Sequence, residues 1–160
     1  MTENDHTLLL RRGSEAWNAW RTANPSVRPK LRGTNLSGAN LAGALLREAD
    51  LGEANLGRAS LGNAILDGAD LSGADLSGAN LSRARLGMAI LSRANLSRAN
   101  LSEAHLEAAD LQGTNLSLTN FTGSILSNAN LDSASLSGAL LRRANLGGLL
   151  SPQLTSAART

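Results

Sequence analysis

Cysteine is missing from this 160-residue chain, and Trp17, Trp20 and Phe121 are its only aromatic residues. Without cysteine there is neither a disulfide framework nor a thiolate metal site. So few rings exclude an ordinary globular core, in which several large side chains fill irregular space, and point to a narrow interior of constant bore. Long apolar runs are missing too. Leu8-Leu9-Leu10 is too short for a signal peptide or a membrane span, so no membrane contact and a cytoplasmic location are expected. Charge of one sign is also lacking. Six bases face three acids before Thr34, and eight face ten over residues 34–148; Arg159 completes a net charge of +2. That balance carries no strong electrostatic signature.

What the chain does have is a period. Leucine stands at every fifth position from Leu36 to Leu146, Phe121 excepted, so 23 five-residue units run in register from Thr34 to Gly148. Five matches neither the 3.6 of a helix nor the 2.0 of a long strand; it suits a short extended segment followed by a turn. With the leucine called position i, extended chain points i−2 and i to one side and i−1 to the other. Nineteen of the 23 i−2 residues are alanine, and Thr34, Thr114, Thr119 and Ser124 are the small exceptions. Alanine and leucine therefore face inward together. Position i+2 is often glycine, as in Gly38, Gly43, Gly68, Gly73 and Gly78, which suits a turn needing positive φ. A quarter-turn per unit closes a square after four units, or twenty residues.

Units such as Gly73-Ala74-Asp75-Leu76-Ser77 and Arg98-Ala99-Asn100-Leu101-Ser102 resemble those of the pentapeptide-repeat family. The resemblance implies an all-β solenoid, a right-handed quadrilateral β-helix of just under six coils, about 28 Å tall at ~4.8 Å per coil. The organisation expected is a leader and capping helix over residues 1–33, the repeats over 34–148, and a tail over 149–160. A single helix from Thr7 to Asn24, ended by Asn24-Pro25, would lay Trp17 and Trp20 on the first coil as lid residues. Leu140, Leu141, Leu146, Leu149, Leu150 and Leu154 crowd the other end, as a cap or as the contact of a homodimer joined through its C-terminal ends. Unpaired strand edges favour such joining, and family members that dimerise this way support it.

Function must then be sought on the outer faces, where units four apart align. One face gathers Asp50, Glu53, Asp70, Asp110 and Asp132 against a single repeat base, Arg93, and is the candidate acidic interaction face. Another sets Leu45, Ile65 and Ile125 beside Arg85 and His105, as a candidate apolar strip. Arg47 with Asp67, and Arg83 with Glu103, should pair across coils. Arg83, Arg85, Arg93 and Arg98 point to four different faces, so direct nucleic-acid binding is not expected. His105 between Glu103 and Glu107 follows the polar positions of the repeat, with no second histidine to complete a metal site. No serine has a paired base. The expectation is a non-enzymatic scaffold without cofactor or metal, presenting side chains to an unknown protein partner. The resemblance supplies an alternative: a DNA-mimicking modulator of a type II topoisomerase (gyrase), giving quinolone or toxin resistance.

Overall fold

A computed structural model describes residues 3–149. Two short helices, α1 (Glu3–Arg11) and α2 (Ser14–Ala23), precede a column of stacked square coils. The single helix expected over Thr7 to Asn24 is therefore two. The chain breaks at Gly13, whose φ of 105° is open to glycine and costly for other residues. The break lets α1 fold back on α2, so that both lie over the first coil. No helix among the described residues is long and apolar enough to cross a membrane.

The column begins one unit before the expected Thr34. Pro29-Lys30-Leu31-Arg32-Gly33 keeps the register, with Pro29 and Leu31 buried and a parallel bridge from Lys30 to Asp50. That unit completes the sixth coil, so the coils span residues 29–48, 49–68, 69–88, 89–108, 109–128 and 129–148. Parallel bridges join residues twenty apart in four columns, one per side of the square. Leucine amides donate to the coil below, as Leu71 to the Ile90 carbonyl at 2.7 Å, and i−1 amides donate to the coil above, as Asp70 to the Ala49 carbonyl at 2.9 Å.

Each corner is a four-residue turn. The i−2 amide donates to the preceding leucine carbonyl, as Ala74 to Leu71 at 3.0 Å. Every i+2 residue from Gly33 to Gly148 has φ between 55° and 72°, including non-glycines such as Glu53, Met88 and Leu118. The fold imposes the left-handed conformation whatever the side chain, and glycine is only its least strained occupant. The recurrent Asp or Asn at i−1 has a structural cause as well: its Oδ1 accepts the amide two residues on, as Asp70 accepts that of Ser72 at 3.0 Å.

Inside, alanine and leucine pile into one continuous core, completely buried from Leu41 to Leu86. The exceptions fit without orphaned groups. Thr114 and Thr119 donate their hydroxyls to the Leu91 and Leu96 carbonyls of the coil above, at 3.0 and 2.8 Å, and Ser124 donates to the Phe121 carbonyl at 2.8 Å. Phe121 fills a leucine position and is wholly buried.

Candidate interaction surfaces

At the first coil the upward backbone groups have no coil to meet, and leader side chains supply partners to several of them. Trp17 Nε1 donates to the Leu45 carbonyl at 2.9 Å. Asn18 both donates to the Gly43 carbonyl and accepts the Leu45 amide, at 2.9 and 2.8 Å. Arg11 donates to the Asn35 carbonyl at 2.9 Å, and His6 Nδ1 accepts the Lys30 amide at 3.2 Å. Trp17 is fully buried and Trp20 half-buried, with ring centroids 5.1 Å apart; His6 packs on Trp20 at 4.9 Å. The fully buried Trp17 ring is closed to a stacking ligand. Burial, together with the positive charge of the N-terminus, Lys30 and Arg21, holds the His6 imidazole below its ordinary value against the opposing pull of Asp5.

The acidic face is built on the column Lys30, Asp50, Asp70, Ile90, Asp110, Asn130. It holds all five expected carboxylates, and it also holds two leader bases that the expectation left out. Arg32 reaches Asp50 at 3.2 Å, Glu53 at 3.2 Å and Asp70 at 3.0 Å, tying three successive coils with one guanidinium. With Lys30, Arg32 and Arg93 set against Asp50, Glu53, Asp70, Asp110 and Asp132, the face carries −2 rather than the −4 counted within the repeats. Burial pushes the Asp70 carboxyl up. The Ser72 hydroxyl and amide, then the charges of Arg32 and Arg28, outweigh that push and leave it below the usual value. Asp50, Asp70 and Asp110 each accept a backbone amide of their own turn, at 3.3, 3.0 and 3.1 Å. A structural duty thus accounts for part of this acidity.

The apolar strip divides. Leu45 and Ile65 bridge directly and are half-buried, whereas Arg85 and His105 separate them from Ile125. Asp67 receives both Arg47 at 3.3 Å and Arg85 at 3.1 Å, while Arg83 reaches Glu103 at 2.9 Å. His105 Nδ1 lies 3.2 Å from Glu107. Sequence reasoning placed Arg47 with Asp67 but did not find Arg85, because the two guanidiniums approach Asp67 from opposite coils.

At the far end Leu136, Leu141, Leu146 and Leu149 are only half-buried, unlike the same positions higher up. Leu140 also lies in this last coil, but it points outward below Asn120 and is about half exposed. Leu150 and Leu154 lie outside the described residues.

The pentapeptide-repeats family model matches eight copies, over residues 30–62, 54–87, 89–128 and 119–148. No match is found among curated proteins. Among solved structures, a pentapeptide repeat protein of the Arabidopsis thaliana thylakoid lumen is 37% identical over 66% of this chain and 70% of its own, with a TM-score of 0.50. A pentapeptide repeat protein of Nostoc Pcc 7120 is 40% identical over 63% of this chain and 78% of its own, with a TM-score of 0.54. QnrB1, a plasmid-mediated fluoroquinolone resistance protein, is 20% identical over 73% of this chain and 70% of its own, with a TM-score of 0.33, a likeness that carries no argument about function. The five-residue register, the four bridge columns and these matches agree: the chain belongs to the pentapeptide-repeat family, and its column is a right-handed quadrilateral β-helix with a helical N-terminal cap.

Proposed function

We propose that the protein is a non-enzymatic scaffold, a rigid six-coil column whose outer faces present side chains to a protein partner. One observation carries this reading. The inward residues are consumed by the core, and the buried hydroxyls of Thr114, Thr119 and Ser124 are all spent on backbone carbonyls. Only the outer side chains remain to meet other molecules. Affinity capture from the native cell with cross-linking should return a discrete partner whose cross-links map to outward positions. Turnover of a substrate by the pure protein in an untargeted metabolite assay would refute the reading.

The half-buried leucines of the last coil supply the second element of the proposal, a homodimer joined through C-terminal ends. An isologous contact there would bury Leu141, Leu146 and Leu149. Sedimentation should give a dimer that Leu141→Arg converts to a monomer; a wild-type monomer at all concentrations rules it out. The topoisomerase alternative rests on the family resemblance. Arg32 and Lys30 weigh against it, because they compensate the carboxylates a DNA mimic needs bare. A gyrase supercoiling assay separates the two readings, and the scaffold reading expects no effect at micromolar protein.

A further inference from the structure

On the side of the column that carries Leu45, Ile65 and Arg85, the C-terminal end of α2 and the turn through Pro25 stand over the first two coils. Arg21, Thr22, Pro25, Leu45, Arg47 and Ile65 line the groove between them, about 420 Å3 in volume, within the ~300–1,000 Å3 range of binding clefts. Its floor is aliphatic, since Leu45 and Ile65 occupy, on successive coils, the position that the Asn40 and Asn55 columns give mainly to Asn, Asp or Ser. Its rim is cationic. Arg47 and Arg85 share the single carboxylate of Asp67, at 3.3 and 3.1 Å. Arg21 is nine-tenths buried, gives its terminal nitrogens to the Asn24, Val27 and Arg47 carbonyls, and has no partner for Nε. Arg28 adds a fourth guanidinium through its bond to the Glu48 carbonyl, and the Glu48 carboxylate is felt at Arg21. Arg21, Arg47 and Arg85 thus stand beside the apolar floor with Asp67 and Glu48, while Arg28 at the corner is shared with Asp70 of the acidic face.

We infer that this groove docks a segment of the partner protein in which an aliphatic side chain is flanked by carboxylates. The aliphatic side chain seats on Leu45, Ile65 and Pro25. The carboxylates meet Arg47 and Arg85, so that each guanidinium gains an anion of its own where the two now divide one. The inference rests on the scaffold reading and assigns it a location: the junction of cap and column, where the repeat pattern and the leader meet.

The test titrates the 15N-labelled full chain with a ten-residue peptide of alternating leucine and glutamate, blocked at both ends. Saturable shifts centred on the amides of Thr22, Leu45, Arg47 and Ile65 are expected. Replacing every glutamate by lysine, or every leucine by serine, should weaken binding about tenfold or more. So should Arg47→Glu, an exposed change that leaves the melting temperature near that of the wild type. Shifts confined to the acidic face or the last coil, equal binding of the lysine peptide, or decanoate binding as tightly as the peptide each overturn the inference. A native partner that cross-links only to other sides while the peptide leaves the groove silent defeats the groove and spares the scaffold. Substrate turnover defeats the scaffold whatever the peptide does.

Discussion

The guanidinium of Arg32 occupies the space in which a side chain at Gly52 would begin, so a Cβ there collides with its terminal nitrogens. Gly52 is therefore a seat for the residue that ties three coils together, although its own turn makes no demand for glycine. Gly52→Ala should displace Arg32 from Asp50, Glu53 and Asp70 and lower the melting temperature modestly. On an Arg32→Ala background the same change should do almost nothing, and a double-mutant cycle measures the difference. Additive effects would show that Gly52 serves some other purpose.

Trp17 combines burial with a hydrogen bond that the cap cannot make otherwise, since its Nε1 is the donor to the Leu45 carbonyl. Trp17→Phe keeps most of the ring and strands that carbonyl, at a cost of about 1–3 kcal/mol. Leu76→Ala, in the middle of the column, leaves a cavity and should cost about 2–5 kcal/mol. Chemical denaturation of both variants checks the order. A Trp17→Phe loss larger than that of Leu76→Ala would mean the lid, not the column, limits stability.

The left-handed corners allow a paired test of backbone strain. At Gly73 an added Cβ would touch only the Glu53 side chain at an ordinary 3.6 Å, so Gly73→Ala reports conformation alone. It should destabilise by about 1 kcal/mol, the left-handed penalty less the gain from a stiffer unfolded chain. Met88 holds the same conformation and is 70% exposed. Met88→Gly should therefore run the other way, raising stability by up to about 1 kcal/mol, and thermal melts of the pair decide.

His6, only 2% exposed, accepts the Lys30 amide through Nδ1 and so must be neutral in the closed cap. Its value is lowered in the fold, and the unfolded chain takes up a proton first. The stability it contributes is complete above the ordinary histidine value near 6.5 and is lost as pH falls below it. The cations facing it, Lys30 and Arg21, act in the same direction, while Asp5 opposes them. The protection factors of the Lys30 and Leu45 amides, in which the intrinsic slowing of exchange in acid is divided out, should fall between pH 7 and pH 5.5 in the wild type. His6→Gln should flatten that dependence; an unchanged pH response would remove His6 from the account.

The repeats were legible because their chemistry is periodic. Register alone fixes Leu76 inward, Arg47 against Asp67 and Arg83 against Glu103, and the matched positions behave as one rule. The leader offers no such rule. Nothing in its pattern says that Asn18 answers both backbone groups of one corner, that His6 packs under Trp20, or that Arg32 spans Asp50 and Asp70. Those contacts depend on where two helices land after the break at Gly13. The first unit escaped notice for a related reason: Pro29 and Lys30 replace the usual small residue and Asp or Asn, hiding Leu31 from a reader of composition. At the acidic face, residue counts within the repeats overstated the charge because the compensating bases come from outside them.

The closed upper edge and the half-buried lower one give direction to a molecule whose units have none. A chain emerging from the ribosome delivers the helical lid before the coils, so every later coil finds a template and the growth front stays at the C-terminal side. Denaturation should retrace that path, fraying upward from the newest coil toward the oldest.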